Sequence, residues 1–182
     1  MSGRLFYVMG PSGAGKDSVL GWVREHGISY GMVCAHRYIT RPAHAGGENH
    51  VALSVEEFDS RERRGLFVLT WQAHGLRYGV GREIEQWLAR DADVLVNGSR
   101  AAYGQARERF PSLRPVVITA SREVMAARLM ARGRESMEEI VARLDRAEAW
   151  RAPPETMVIR NDGNLADAGA LLLDAIKEKA TA

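Results

Sequence analysis

Lysine is nearly absent from this chain. Of 25 basic residues only Lys16, Lys177 and Lys179 are lysines, so 25 minus 3 leaves 22 arginines. A chain this biased toward the planar guanidinium that still carries lysine at position 16 points to a need for a compact ammonium there. Cysteine is rarer still. Cys34 alone cannot form an internal disulfide, and its neighbours Met32, Val33 and Ala35 suit a buried strand position. No apolar run approaches the roughly 18 residues that cross a bilayer, and residues 1–4 lead straight into a strand-like segment without a signal-peptide pattern. A cytoplasmic location without a membrane partner is therefore expected. A large excess of one charge is also missing. The formal net charge of +2 does not demand nucleic acid, although arginines gathered at one site can still attract a phosphorylated small molecule. With 46% hydrophobic and 26% charged residues nothing favours disorder, and 182 residues suit one domain.

What is present is a recurring order of strand, loop and helix. Leu5 to Met9 is a continuous apolar run, followed by a glycine-rich turn and a predicted helix over 18–26 with Val19, Leu20 and Val23 on one face. Apolar runs at 94–96 and 116–119 precede predicted helices over 101–110 and 121–132. A run at 157–159 precedes a last helix carrying Leu165, Ala168, Leu172 and Ile176 at helical spacing. Strands that are apolar throughout, rather than alternating, fit a parallel sheet covered by helices on both faces, hence an α/β fold. Between about 37 and 81 the order changes to a polar, glycine-containing stretch, a short helix and a strand-like run at 66–71, which reads as an inserted substrate-side subdomain. Ser54 with Glu57 and Ser136 with Glu139 have capping-box spacing, so helices are expected to begin just after each serine.

The segment GPSGAGKDS at 10–18 satisfies the first seven places of the P-loop pattern through Gly10, Gly15 and Lys16. Glycines let backbone N–H groups turn inward around a phosphate, the following helix adds its positive dipole end, and lysine neutralises the β and γ oxygens. The residues Gly10, Pro11, Ser12, Gly13, Ala14, Gly15, Lys16, Asp17 and Ser18 are thus the candidate ATP site. A plain glycine turn with a surface lysine is the alternative, and the strand before and helix after argue against it. The pattern breaks at Asp17, where a hydroxyl residue normally reaches Mg²⁺; Ser18 follows one place later. Asp17, with Ser18, is a candidate Mg²⁺ ligand, or Asp17 favours the helix start instead.

GPSGAGK, TRP at 40–42, the pair Tyr78 and Gly79, and RLMARGRES from Arg128 together resemble the guanylate kinase family over nearly the whole chain. That resemblance implies a P-loop nucleoside-monophosphate-kinase-like core at 1–36 and 82–182, an acceptor-binding insertion at about 37–81, and a lid at about 132–139. Where guanylate kinases carry polar guanine-reading residues, this chain aligns Leu69, Val80 and Ser99, so a guanine edge would be left unpaired. A closer resemblance, to the ribose 1,5-bisphosphate phosphokinases, lies in GPSGAGKDS, AHRYITR at 35–41, ENH at 48–50, YGVG at 78–81, DVLVNGSR at 93–100, RGRE at 132–135 and NDG at 161–163. It implies phosphoryl transfer from ATP to the 1-phosphate of ribose 1,5-bisphosphate, giving 5-phosphoribosyl 1-diphosphate.

The resemblance also implies roles. Lys16 holds the transferred phosphoryl, and Arg132 and Arg143, which align with lid arginines, stabilise its oxygens; Arg134 and Arg128 are weaker candidates. Arg37 and Arg41 grip an acceptor phosphate, Tyr78 adds a hydroxyl, and Arg77 suits a substrate with two phosphates. His50, and less so His44, are candidates to line that site. An ionised phosphate acceptor needs alignment and charge neutralisation rather than a general base, so no base is assigned. Two other readings stay open: a nucleoside monophosphate kinase, guanylate kinase above all, and a non-catalytic guanylate-kinase-like binding module.

Overall fold

Five consecutive buried side chains, Leu5–Met9, form the central strand β1. The computed structural model describes residues 3–45, 48–133 and 135–178. After β1 the chain enters α1 (Lys16–His26), β2 (Met32–Cys34), β3 (Arg37–Ile39), β4 (Val51–Ala52), α2 (Val55–Arg63), β5 (Phe67–Ala73), β6 (Leu76–Gly81) and α3 (Glu83–Ala89). It continues through β7 (Asp93–Asn97), α4 (Tyr103–Arg109), β8 (Arg114–Thr119), α5 (Arg122–Arg132), α6 (Met137–Ala149), β9 (Met157–Arg160) and α7 (Leu165–Glu178).

Two sheets result. The first is five-stranded, ordered β2-β7-β1-β8-β9, with every neighbouring pair parallel. Strands buried on both faces need covering on both, and helices supply it. On one side Phe6 and Val8 pack with Val19, Val23, Leu129, Leu144 and Leu172. On the other Leu5, Tyr7 and Met9 pack with Ile84, Ala106 and Leu113. The second sheet, ordered β4-β3-β6-β5, is built from residues 37–81 and is mixed: β3 pairs parallel with β4 and antiparallel with β6.

The local capping signals hold. Ser54 and Ser136 cap α2 and α6 through the N–H groups of Glu57 and Glu139, and Ser136 with Glu139 completes a reciprocal box. Helix α1 starts at Lys16 rather than 18, because left-handed Gly15 (φ 77°) already turns the chain into the helix. The helix expected over 101–110 is trimmed to α4, and α3 has no counterpart in the sequence reading, since one buried residue, Ile84, gives it no readable periodicity. Cys34 is half-buried rather than buried, because β2 is an edge strand; its remaining burial pushes the thiol up.

β7 runs parallel to β1 and so ends at the edge of the sheet where the glycine-rich loop begins, and its exit is fixed by Tyr7. The Tyr7 hydroxyl donates to the Ser99 carbonyl at 2.9 Å and accepts from the Ser99 N–H at 3.0 Å. A Cβ on Gly98 would strike the Tyr7 ring, so glycine is needed for this close approach. Burial pushes the Tyr7 hydroxyl up to about 12. A raised folded-state value means stability fully present below pH 10 and lost as pH rises toward 12. Tyr7→Phe should cost about 1–3 kcal/mol in urea unfolding near neutral pH, because both Ser99 groups lose their partner, and should abolish this alkaline loss. A cost below about 0.5 kcal/mol would show that the hydroxyl does not hold the turn.

Candidate active site

The loop between β1 and α1 is a cradle of backbone donors. Gly13 and Gly15 take φ of 88° and 77°, and α1 starts with no side-chain cap, leaving its first N–H groups open to an anion. The loop is held from below. Ala14's carbonyl accepts from buried Asn161 Nδ2 at 2.8 Å and from Arg128 Nη1 at 3.3 Å. Those two donors hold that carbonyl on the side of Asn161 and Arg128. A Cβ on Gly15 would lie 2.5 Å from Asn161 Nδ2, and one on Gly10 would strike the Ile118 carbonyl, so glycine at both places is what lets the loop sit this close to its supports. From above, Arg143 Nη1 donates to Ser12 Oγ at 3.0 Å, and its Nη2 pairs with Glu135 at 2.9 Å.

Lys16 opens α1 and turns toward β7. Its ammonium donates to Asp17 Oδ1 at 3.0 Å and, at close range, to Asn97 Oδ1. Burial pulls the ammonium below the ordinary lysine range, opposed by the charge of Asp17. Asp17 shows the reverse balance: burial alone would raise its carboxyl, but Lys16 and the Asn97 amide outweigh it and hold the carboxyl low. Ser18 is exposed on the same helical turn.

Asn97 also faces the second sheet. Its Nδ2 donates to Asp17 Oδ1 and to Glu48 Oε2, both at 2.9 Å. Glu48 is buried, and the same Oε2 accepts from Arg37 Nε at 3.1 Å and pairs with Arg37 Nη2. Its other oxygen lies 3.8 Å from Arg41. Arg37 lies over the Tyr78 ring at 5.1 Å from its centroid, and that ring stacks on Trp71 at 5.4 Å. Lys16 of the glycine loop and Arg37, Arg41 and Tyr78 of the second sheet therefore belong to one connected cluster.

Several sequence expectations are placed differently. Arg77 does not join the cluster: next to Tyr78 on β6 its side chain takes the opposite face, where it pairs with Asp59 and Glu62 and covers the Phe58 ring. His50, by contrast, does border the cluster: it is nearly buried, with Nδ1 3.3 Å from Arg41 Nη2 and 3.2 Å from the Glu48 carbonyl, and Nε2 3.2 Å from the Arg41 carbonyl. His44 is exposed in a short 3₁₀ turn. Arg132 is exposed on the last turn of α5 and touches none of these groups, and Arg134 lies outside the described residues. Leu69 and Val80 face each other across β5 and β6, fully buried among core side chains rather than lining an open pocket. Glu48 and Asn161 were not singled out by the sequence reading. A carboxylate and an amide inside ENH and NDG gave no sign of their partners, which are 49 and 147 residues away.

The fold matches solved kinases. A crystal structure of guanylate kinase from Anaplasma phagocytophilum superposes with a TM-score of 0.71 over 98% of this chain and 86% of that one, at 18% identity. A gluconokinase from Sinorhizobium meliloti 1021 gives 0.55 over 99% and 94%, at 22% identity. With the phosphate loop described above, these define a P-loop protein of guanylate-kinase architecture. No family model matches the chain. The chain is 57% identical over 172 residues to ribose 1,5-bisphosphate phosphokinase PhnN of Chromobacterium violaceum, covering 94% of this chain and 92% of that relative. It is 49% identical over 178 residues to the protein of that name from Thiobacillus denitrificans, covering 97% and 94%. Its match to the Laribacter hongkongensis relative, 58% over 168 residues, covers 92% of this chain but 41% of that longer protein. The chain belongs to the ribose 1,5-bisphosphate phosphokinase family.

The contacts of Asn97 make a direct test of the cluster. Asn97→Asp would replace the donor between Asp17 and Glu48 with a third carboxylate, and we expect a loss of about 2–3 kcal/mol in urea unfolding. In an Asp17→Ser background the same change should cost at least about 1 kcal/mol less. Additive effects of the two substitutions would refute the coupling.

Proposed function

We propose that the chain transfers the γ-phosphoryl group of ATP to the 1-phosphate of ribose 1,5-bisphosphate, giving 5-phosphoribosyl 1-diphosphate and ADP, in the cytoplasm. The observation that carries this reading is the single polar cluster in which Lys16 of the P-loop and Arg37 and Arg41 of the second sheet are joined through Asn97 and Glu48. Phosphoryl transfer between two anions needs donor and acceptor aligned and their charge neutralised, and cations flanking one cleft supply both. The names of the relatives supply the sugar bisphosphate.

ATP supplies the phosphoryl group. The N–H groups of Gly13 and of residues 15–18, with the Lys16 ammonium, would hold its phosphates. Arg143, already at Ser12, is placed to add positive charge from α6. Asp17 and Ser18, exposed on the first turn of α1, would hold Mg²⁺; this ion takes one or two protein oxygens and completes its shell with phosphate and water, so two donors suffice. Arg37 and Arg41 take the acceptor phosphate. Arg132, on the exposed last turn of α5, reaches the phosphates only if residues 132–139 close as a lid. Such closure would exclude water, which otherwise competes as acceptor.

A guanine nucleotide fits poorly. Leu69 and Val80 offer no polar atom, and both backbone groups of Ser99 are committed to Tyr7. The decisive experiment mixes the protein with ATP, Mg²⁺ and either ribose 1,5-bisphosphate or GMP, and identifies products by ³¹P NMR. Formation of 5-phosphoribosyl 1-diphosphate is expected; phosphorylation of GMP instead would overturn the assignment. Lys16→Met should lower turnover by at least about three orders of magnitude, since the transition state loses its nearest cation. The same variant should unfold at a urea concentration equal to or above that of the parent protein, because burial disfavours this ammonium in the fold. Near-parental turnover would remove Lys16 from the chemistry.

A further inference from the structure

Many of the arginines are compensated. Arg4, Arg37, Arg61, Arg77, Arg82, Arg109, Arg122, Arg143 and Arg160 each pair with a carboxylate. Arg100 has no such pair among the described residues. It follows Asn97 by three residues, on the turn fixed by Tyr7, and its Nη1 is buried without a hydrogen-bond partner. Its guanidinium lies over the Trp150 ring, 5.3 Å from the centroid, which fixes its plane. The charge it feels is another cation, Arg146, and among the described residues neither is paired with a carboxylate.

Arg146 belongs to a stripe on α6. Arg143 and Arg146, three residues apart, share one face of the helix, and Trp150 stands at the cap just beyond its end. That face starts at the P-loop, where Arg143 meets Ser12, and ends at Arg100. An anion between the two would relieve both their mutual repulsion and the empty donor of Arg100. Three residues of chain span at most about 11 Å, so Arg100 is within reach of Asn97 and the cluster around Lys16 by a length that a pentose with phosphates at both ends can bridge.

We propose that Arg100 and Arg146 form a second anion subsite, which takes the 5-phosphate of the acceptor while Arg37 and Arg41 hold the phosphate to be extended. This rests on the sugar bisphosphate reading above, and it gives the second phosphate of that substrate a place that Arg77, turned to Asp59 and Glu62, does not provide. Trp150 keeps the guanidinium plane aimed, and Arg146, exposed, admits the ligand from solvent.

The test compares ribose 1,5-bisphosphate with ribose 1-phosphate as acceptors. The parent protein should favour the bisphosphate, and Arg100→Gln should lower the ratio of the two kcat/KM values about 30- to 100-fold, chiefly through KM for the bisphosphate. Arg146→Gln, an exposed change that leaves the core intact, should lower it about threefold to tenfold. Ribose 5-phosphate, which carries the distal phosphate alone, should inhibit the parent competitively with the acceptor and inhibit Arg100→Gln at least tenfold more weakly. A ratio within threefold of the parent in Arg100→Gln, or equal losses on both acceptors, would overturn the subsite. If the parent protein extends neither sugar phosphate, the functional reading itself fails, and that result is separate from any effect of Arg100.

Discussion

Three chain segments that are far apart in sequence meet at one buried amide. The Asn97 side chain accepts from Lys16 while its nitrogen donates to both Asp17 and Glu48. An amide can serve a cation and two carboxylates at once because it carries a donor and an acceptor on adjacent atoms. A carboxylate at this position would face two others. The aspartate in the P-loop and the asparagine at the end of β7 are therefore one arrangement, in which negative charge sits on the loop and the strand carries the neutral partner. Through Glu48 the same amide ties the parallel sheet to the smaller mixed sheet, and so fixes where acceptor-side cations stand relative to the phosphate loop.

The apolar pair Leu69 and Val80 works on the other side of the same problem. By filling the space between β5 and β6 with hydrocarbon, the chain packs the mixed sheet against β1 and β7 and removes polar groups that a nucleobase would need. On the function proposed above, specificity would come partly from what is missing. Arg77, one place before Tyr78, illustrates how strictly the pleat divides the two faces of a strand: one side chain joins the cluster and its neighbour stabilises α2.

Much of the architecture was legible in the sequence because it rests on local signals. Continuous apolar runs marked β1, β7, β8 and β9, serines with a carboxylate three residues on marked α2 and α6, and the glycine spacing marked the phosphate loop. What escaped depends on long-range partners. Glu48 reads as an ordinary surface glutamate until Arg37, Arg41 and Asn97 surround it, and Asn161 reads as a turn residue until the Ala14 carbonyl is found beside it. Arg77 and Tyr78 are adjacent letters with opposite destinations, which no composition argument separates. Helix α3 was invisible because seven residues with one buried side chain carry no period.

Glu48 has a further meaning for how a ligand enters. Arg37 and Arg41 are already in the field of an internal carboxylate, so a phosphate held there, as proposed above, would trade places with an anion that the chain provides for itself. Binding is then an exchange rather than an addition. The guanidinium groups are stripped of water beforehand and kept oriented, and the net gain depends on how much better the newcomer fits than the resident. A doubly charged phosphate gains over a single carboxylate, whereas a singly charged or neutral guest has little to offer. A Glu48 displaced in this way would give up its bond from the Asn97 amide, while the direct contacts of that amide with Asp17 and Lys16 need not break, so the lysine would keep its place as the second sheet changes partners.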